Sequence, residues 1–144
     1  MPVTANSYIS PQTPNRGLVE FVGTTDATAA LKALYVGGGN GSNVYGVMGV
    51  NNGATAHLVT LVVNNSGGTV LAQINAVTLA INAGANGTVV PQPVLSASVY
   101  SGGAVDENGN PFIRLASGDT LSAKYATAQA TTETISLYCL ADDY

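Results

Sequence analysis

Chemistry in this chain would have to come from few residues: one histidine, His57, one cysteine, Cys139, and eight acids. A single histidine excludes a His-based zinc cluster and a two-histidine proton relay. A Ser-His-Asp triad is arithmetically available. However, His57 opens an apolar β-type run, no Gly-x-Ser-x-Gly elbow occurs, and nothing in the sequence places an acid beside it, so it reads as structural or surface. Glycoside hydrolysis needs two carboxylates flanking one bond, and Glu20 is the one acid placed within a strand among apolar neighbours. Asp142 and Asp143, close to Tyr144, read as hydrated. Cys139 shares a strand face with Ile135 and Leu137, which fits a buried small hydrophobe and not a nucleophile. The expectation is a protein without catalytic residues, metal or cofactor, and not an enzyme.

Two loops imitate ligand-binding motifs. Asp106-Glu-Asn-Gly-Asn110 repeats oxygen ligands at alternate positions like the opening of a calcium loop. An EF-hand would require Gly and Glu at 111 and 117, where Pro111 and Ser117 stand. A solvated Asn-Gly turn is the reading, with at most a weak surface cation site at 106–110. Gly37-Gly-Gly-Asn-Gly41 lacks the Gly-Lys-Ser/Thr ending and the following helix of a phosphate loop, and is read as a turn.

The elements that carry these residues are strands. From His57 to Ile81 two apolar runs flank Asn64-Asn-Ser-Gly-Gly68, whose residues tolerate positive φ, and this predicts a hairpin with its first strand buried on both faces. Alternating runs also occur at 18–25, 42–50, 94–100, 112–115, 120–126 and 132–140, with a shorter extended piece at 88–90. Asp26 could cap a short helix, but Leu31–Val36 alternates and Gly37 follows, so a strand is preferred there. About nine strands separated by Gly/Asn turns predict an all-β, single-domain β-sandwich, jelly-roll-like because several connections are too long for a meander. An immunoglobulin-like sandwich is the alternative. Residues 1–17, with Pro2, Pro11 and Pro14, read as an extended N-terminal arm, and 18–144 as the sandwich. Within the arm Tyr8, Ile9, Pro11 and Pro14 are the candidate partner-binding residues.

Composition limits the partners. At 144 residues the chain can bury a full core. Only 8% of residues are charged, and the net charge is −4, with Arg16, Lys32, Arg114 and Lys124 the only cations. Four scattered cations do not match a run of phosphates, so neither nucleic acid nor an anionic membrane is expected as partner. A weakly charged surface repels its own copies little, which suits dense assembly. No basic segment followed by an apolar run opens the sequence, and no apolar run approaches a membrane span, so no secretion or membrane insertion is expected.

Three pieces together carry a resemblance: Thr4-Ala-Asn-Ser-Tyr-Ile9 with Pro11-Gln-Thr-Pro14, Arg114-Leu-Ala-Ser-Gly-Asp119 with Leu121, and Asp142-Asp-Tyr144. In them the chain resembles a group of small virion proteins encoded beside the capsid genes of tailed bacteriophages. The matches lie within residues 1–14 and 110–144, and none is a catalytic signature. The resemblance implies a head decoration or cement protein on a jelly-roll-like sandwich, often in threefold clusters. Its partner would be the major capsid protein, and its place the capsid surface of a virion assembled in the host cytoplasm. A different reading is a receptor- or glycan-binding module of a tail fibre or capsid spike, with Tyr35, Tyr45, Tyr100 and the 101–111 loop as contact surface.

Overall fold

A computed structural model describes residues 13–96 and 104–144 of the chain. In chain order the strands are β1 (Thr13–Val22), β2 (Lys32–Val36), β3 (Ser42–Asn51), β4 (His57–Asn64), β5 (Val70–Leu79), β6 (Gln92–Pro93), β7 (Ile113–Leu115), β8 (Thr120–Tyr125) and β9 (Thr134–Asp143). There is no helix among the described residues.

The strands form two antiparallel sheets, ordered β1-β9-β3-β6, with β7 also on β3, and β2-β8-β4-β5. The first strand pairs with the last, β2 with β8, β3 with β7, and β4 with β5 through the predicted hairpin. This is one long hairpin rolled over itself, the double Greek-key order of a jelly roll. It excludes the immunoglobulin-like alternative, in which the first and last strands do not pair in this way.

The core lies between the sheets because each strand alternates. Val19 and Phe21 of β1 and Ile135, Leu137, Cys139 and Ala141 of β9 point inward. They meet Val59, Leu61 and Val63 of β4 and Leu121, Ala123 and Tyr125 of β8. The Phe21 and Tyr125 rings meet edge to face, centroids 5.2 Å apart. β4 is buried on both faces over Val59–Val63, as its composition predicted, and only Leu58 breaks the pattern.

The details refine or correct the sequence reading at several places. β1 begins at Thr13, and Gly17 already faces inward, so the strand crosses the boundary drawn between residues 17 and 18. Asp26 caps a turn, not a helix: its Oδ2 accepts the Val22 N–H at 2.7 Å and the Lys32 ammonium at 3.0 Å, and β2 follows where the strand was preferred. Within β2 a register shift between Ala33 and Tyr35 lets Leu34 and Tyr35 both turn inward, which simple alternation forbids. Residues 88–90 form no strand. Val94 and Leu95 are a buried bend instead of the start of a strand, and 97–100 lie outside the described residues.

Candidate functional site

The residues with the most chemistry gather on the outer face of the β1-β9-β3 sheet, at the end where β9 finishes. A bulge in β3 puts them there. Tyr45 pairs with Leu140 and Met48 with Tyr138, so Gly46 and Val47 together oppose Cys139. Gly46 takes φ +63°, a conformation glycine adopts without a Cβ penalty. The extra residue switches the side-chain parity of the strand. Asn43 and Tyr45 face outward before it, and Val47 and Gly49 face the core after it.

Beside this bulge lies a cavity of about 640 Å³, open to solvent. Its floor is Asn43 and Tyr45 of β3 with Asp142 of β9, and its wall is the Asp106–Phe112 loop, with Tyr144 at one end. Asn43 and Asp142 are cross-strand partners, so the sheet fixes their spacing. The Tyr45 hydroxyl donates to Asp142 Oδ1 at 3.2 Å, and the Asn43 amide nitrogen donates to the Tyr144 hydroxyl. Burial, together with the Asp142 charge, raises the Tyr45 phenol above its ordinary value. The Arg114 guanidinium covers the Tyr144 ring at 5.4 Å from its centroid.

The wall explains itself locally. Asp106 Oδ1 accepts the N–H groups of Asn108 and Asn110 at 2.9 and 2.8 Å, and Oδ2 accepts the Asn110 amide at 3.1 Å. This is an Asx-type turn closed by Gly109 at φ +82°. The Asp106 oxygens are thus engaged by the amides of their own loop, in line with the Asn-Gly turn read from sequence. Val105 and Pro111 form an isolated bridge that closes its base.

Other sequence candidates lie elsewhere. Tyr8, Ile9, Pro11 and Tyr100 fall outside the described residues, and Pro14 sits in β1 opposite Asp142. Tyr35, grouped with Tyr45 as a surface contact, is buried between the sheets and donates to Asp143 Oδ1 at 2.6 Å. Burial and that carboxylate push its phenol up to about 12. Asp143 is therefore no hydrated terminal acid: Ser42 Oγ also donates to its Oδ1 and Asn15 to its Oδ2. Glu20 is exposed on the outer face of β1. Cys139 is fully buried, and burial pushes its thiol up to about 11, away from thiolate chemistry at neutral pH.

His57 does have an acid beside it, contrary to the expectation from sequence. Glu133 Oε2 lies 3.6 Å from Nε2, within ionic contact but too far for a hydrogen bond, and neither ring nitrogen has a hydrogen-bond partner. The Glu133 carboxylate is committed elsewhere, accepting the Ala54 N–H on Oε1 at 2.8 Å and the Ala130 N–H on Oε2 at 2.9 Å. The ring itself is fully buried, edge-on to Tyr125. Glu133 thus joins the turn before β4 to the turn before β9 beside the start of β4, and the pair offers no reacting group to solvent.

The cavity residues Asn43, Phe112, Asp142 and Tyr144 escaped sequence reasoning, although one signal was present: a glycine inside the Ser42–Val50 run marks a bulge, and bulges re-aim side chains. Neither the family models nor the curated proteins compared with this chain contain a match to it.

Proposed function

We propose that the protein is a bacteriophage capsid decoration protein that binds across major capsid protein subunits and stabilises the head. The observation that carries this reading beyond the sequence resemblance is an apolar row on the outer face of the β1-β9-β3 sheet. Leu18, Tyr138 and Met48 are successive cross-strand neighbours, with Leu18 69% and Tyr138 39% exposed. Leu140, also exposed, extends the row toward Tyr45. Such a row is the kind of surface a partner covers. It is continuous with β1, the edge strand into which the arm leads, so arm and face would engage one neighbouring subunit together. Three copies clustered in this way would hold through several weak contacts at once.

The jelly-roll order supports a rigid building block, and the sparse charge of the chain supports close packing of copies. The test is stoichiometry in purified particles. Decoration requires hundreds of copies per virion, whereas a fibre or spike module gives a few to tens, and an enzyme is absent. A count in the low tens would overturn the proposal.

A further inference from the structure

We propose that the cavity beside the β3 bulge is a binding site for a neutral sugar. This does not rest on the decoration reading, since a coat protein and a fibre module could each carry such a site.

The cavity has the volume of a small-molecule site, which typically spans roughly 300–1,000 Å³. It is neither an apolar groove nor a charged patch. Among the described residues the rings of Tyr45, Phe112 and Tyr144 supply flat apolar surface of the kind that packs against the C–H face of a pyranose. Between them stand groups that match hydroxyls, which both donate and accept. Asp142 accepts the long bond from Tyr45 on Oδ1, and a carboxylate has room for further donors. The Tyr144 hydroxyl can still donate while it accepts from the Asn43 amide, whose own oxygen is buried.

Charge decides between ligand classes. Among the described residues the lining holds two carboxylates, Asp106 and Asp142, and no lysine or arginine, and Arg114 is engaged on the Tyr144 ring, which together disfavour an anion. A cation would need converging, uncommitted carboxylate oxygens, yet those of Asp106 are held by its own turn. A neutral polyhydroxyl ligand needs neither. It uses the acceptors that remain and the rings beside them. The site is also built on strands, with Asn43 and Asp142 fixed by pairing, so it is formed before a ligand arrives.

The test uses the full-length protein in saturation-transfer NMR with four free probes: methyl mannoside, lactose, sialyllactose and arginine amide. At least one of the two neutral sugars is expected to bind saturably, and lactose more tightly than its sialylated form. Asp142→Asn, which keeps shape and removes the charge-assisted acceptor, and Tyr45→Ala, which removes a ring, should each weaken binding by about tenfold or more. Thermal unfolding checks that both variants fold, and Asp142→Asn alone decides if Tyr45→Ala does not. The proposal falls if neither neutral sugar binds, if arginine amide or sialyllactose binds more tightly than both, or if binding survives Asp142→Asn unchanged.

Discussion

Asp143 ties three parts of the chain together. Its carboxylate accepts from Tyr35 of β2, Ser42 of β3 and Asn15 of β1, and so it pins the end of β9 to both sheets. Burial pushes this carboxyl up, but the bonds from Ser42, Tyr35 and Asn15 outweigh it and leave the group below the usual range. Asp143→Ala would strand a buried phenol and a buried hydroxyl, and the expected loss is about 1–3 kcal/mol in a denaturant titration. Glu133 behaves alike for a different cause: the backbone N–H groups of Ala130 and Ala54 hold it ionised, with a smaller contribution from His57. Asp26 is lowered by the Val22 N–H and then by Lys32. All three favour the ionised form more strongly when folded than when unfolded. Their stabilisation is therefore complete above the ordinary carboxylate range and disappears as pH falls through about 4 and below. The midpoint of thermal unfolding should fall steeply over that window, and less steeply in Glu133→Gln. An acid limb of unchanged slope in that variant would assign the effect to the remaining lowered carboxyls, Asp143, Asp26 and Asp106. His57 calls for the opposite expectation. Because neither ring nitrogen is hydrogen-bonded, His57→Leu removes only the 3.6 Å contact with Glu133 and should change stability by less than about 1.5 kcal/mol, as read by the same titration.

The strands themselves were legible because a two-residue repeat is hard to mistake: the runs around His57–Val63, Leu121–Tyr125 and Ile135–Cys139 each placed the correct faces inward. The features that shift parity were not legible. The β3 bulge at Gly46 and Val47 and the β2 shift at Ala33–Tyr35 depend on which strand lies alongside, and pairing is a long-range property that local alternation does not encode. The cavity was hidden for the same reason, since it joins Asn43 to Asp142 across the β3–β9 pairing. Glycines divide similarly. A Cβ on Gly17 would lie 2.2 Å from the Leu34 carbonyl oxygen and 2.8 Å from Cys139 Sγ, where the β1 and β2 edges of the two sheets meet. A Cβ on Gly49 would meet the Leu79 methyls at 2.7 and 2.9 Å, which are side-chain tips that can turn away. Gly17→Ala should thus be the more damaging, costing about 3 kcal/mol or more, and Gly49→Ala about 1–2 kcal/mol. The denaturation midpoints of the two variants, compared at constant m-value, check the order; equal losses would mean that the sheet edges separate as easily as a leucine rotates.

At the scale of the whole molecule, the two faces of the sandwich divide the work. Between the sheets Leu61, Leu121, Ile135 and Leu137 are fully buried, so one core holds both sheets together. Outside, β9 alternates core residues with Tyr138 and Leu140, and the same strand therefore stabilises the fold on one side and presents an apolar surface on the other. Substitutions on the outer face should then separate assembly from folding. Leu18→Glu places a charge where the side chain is already 69% exposed, so its effect on unfolding should stay within about 0.5 kcal/mol. If the protein decorates a capsid as we propose, the same charge would be desolvated without a partner against the capsid subunit, and attachment to heads lacking the protein should fall by at least about tenfold. Deletion of residues 1–12 leaves β1 intact from Thr13 and probes the arm separately. If arm and face engage one partner together, each change alone should weaken binding measurably and both together should abolish it in a sedimentation assay with empty heads. Full attachment of the Leu18→Glu protein would show that the apolar row faces solvent in the particle, and would leave the arm as the only bridge to the shell.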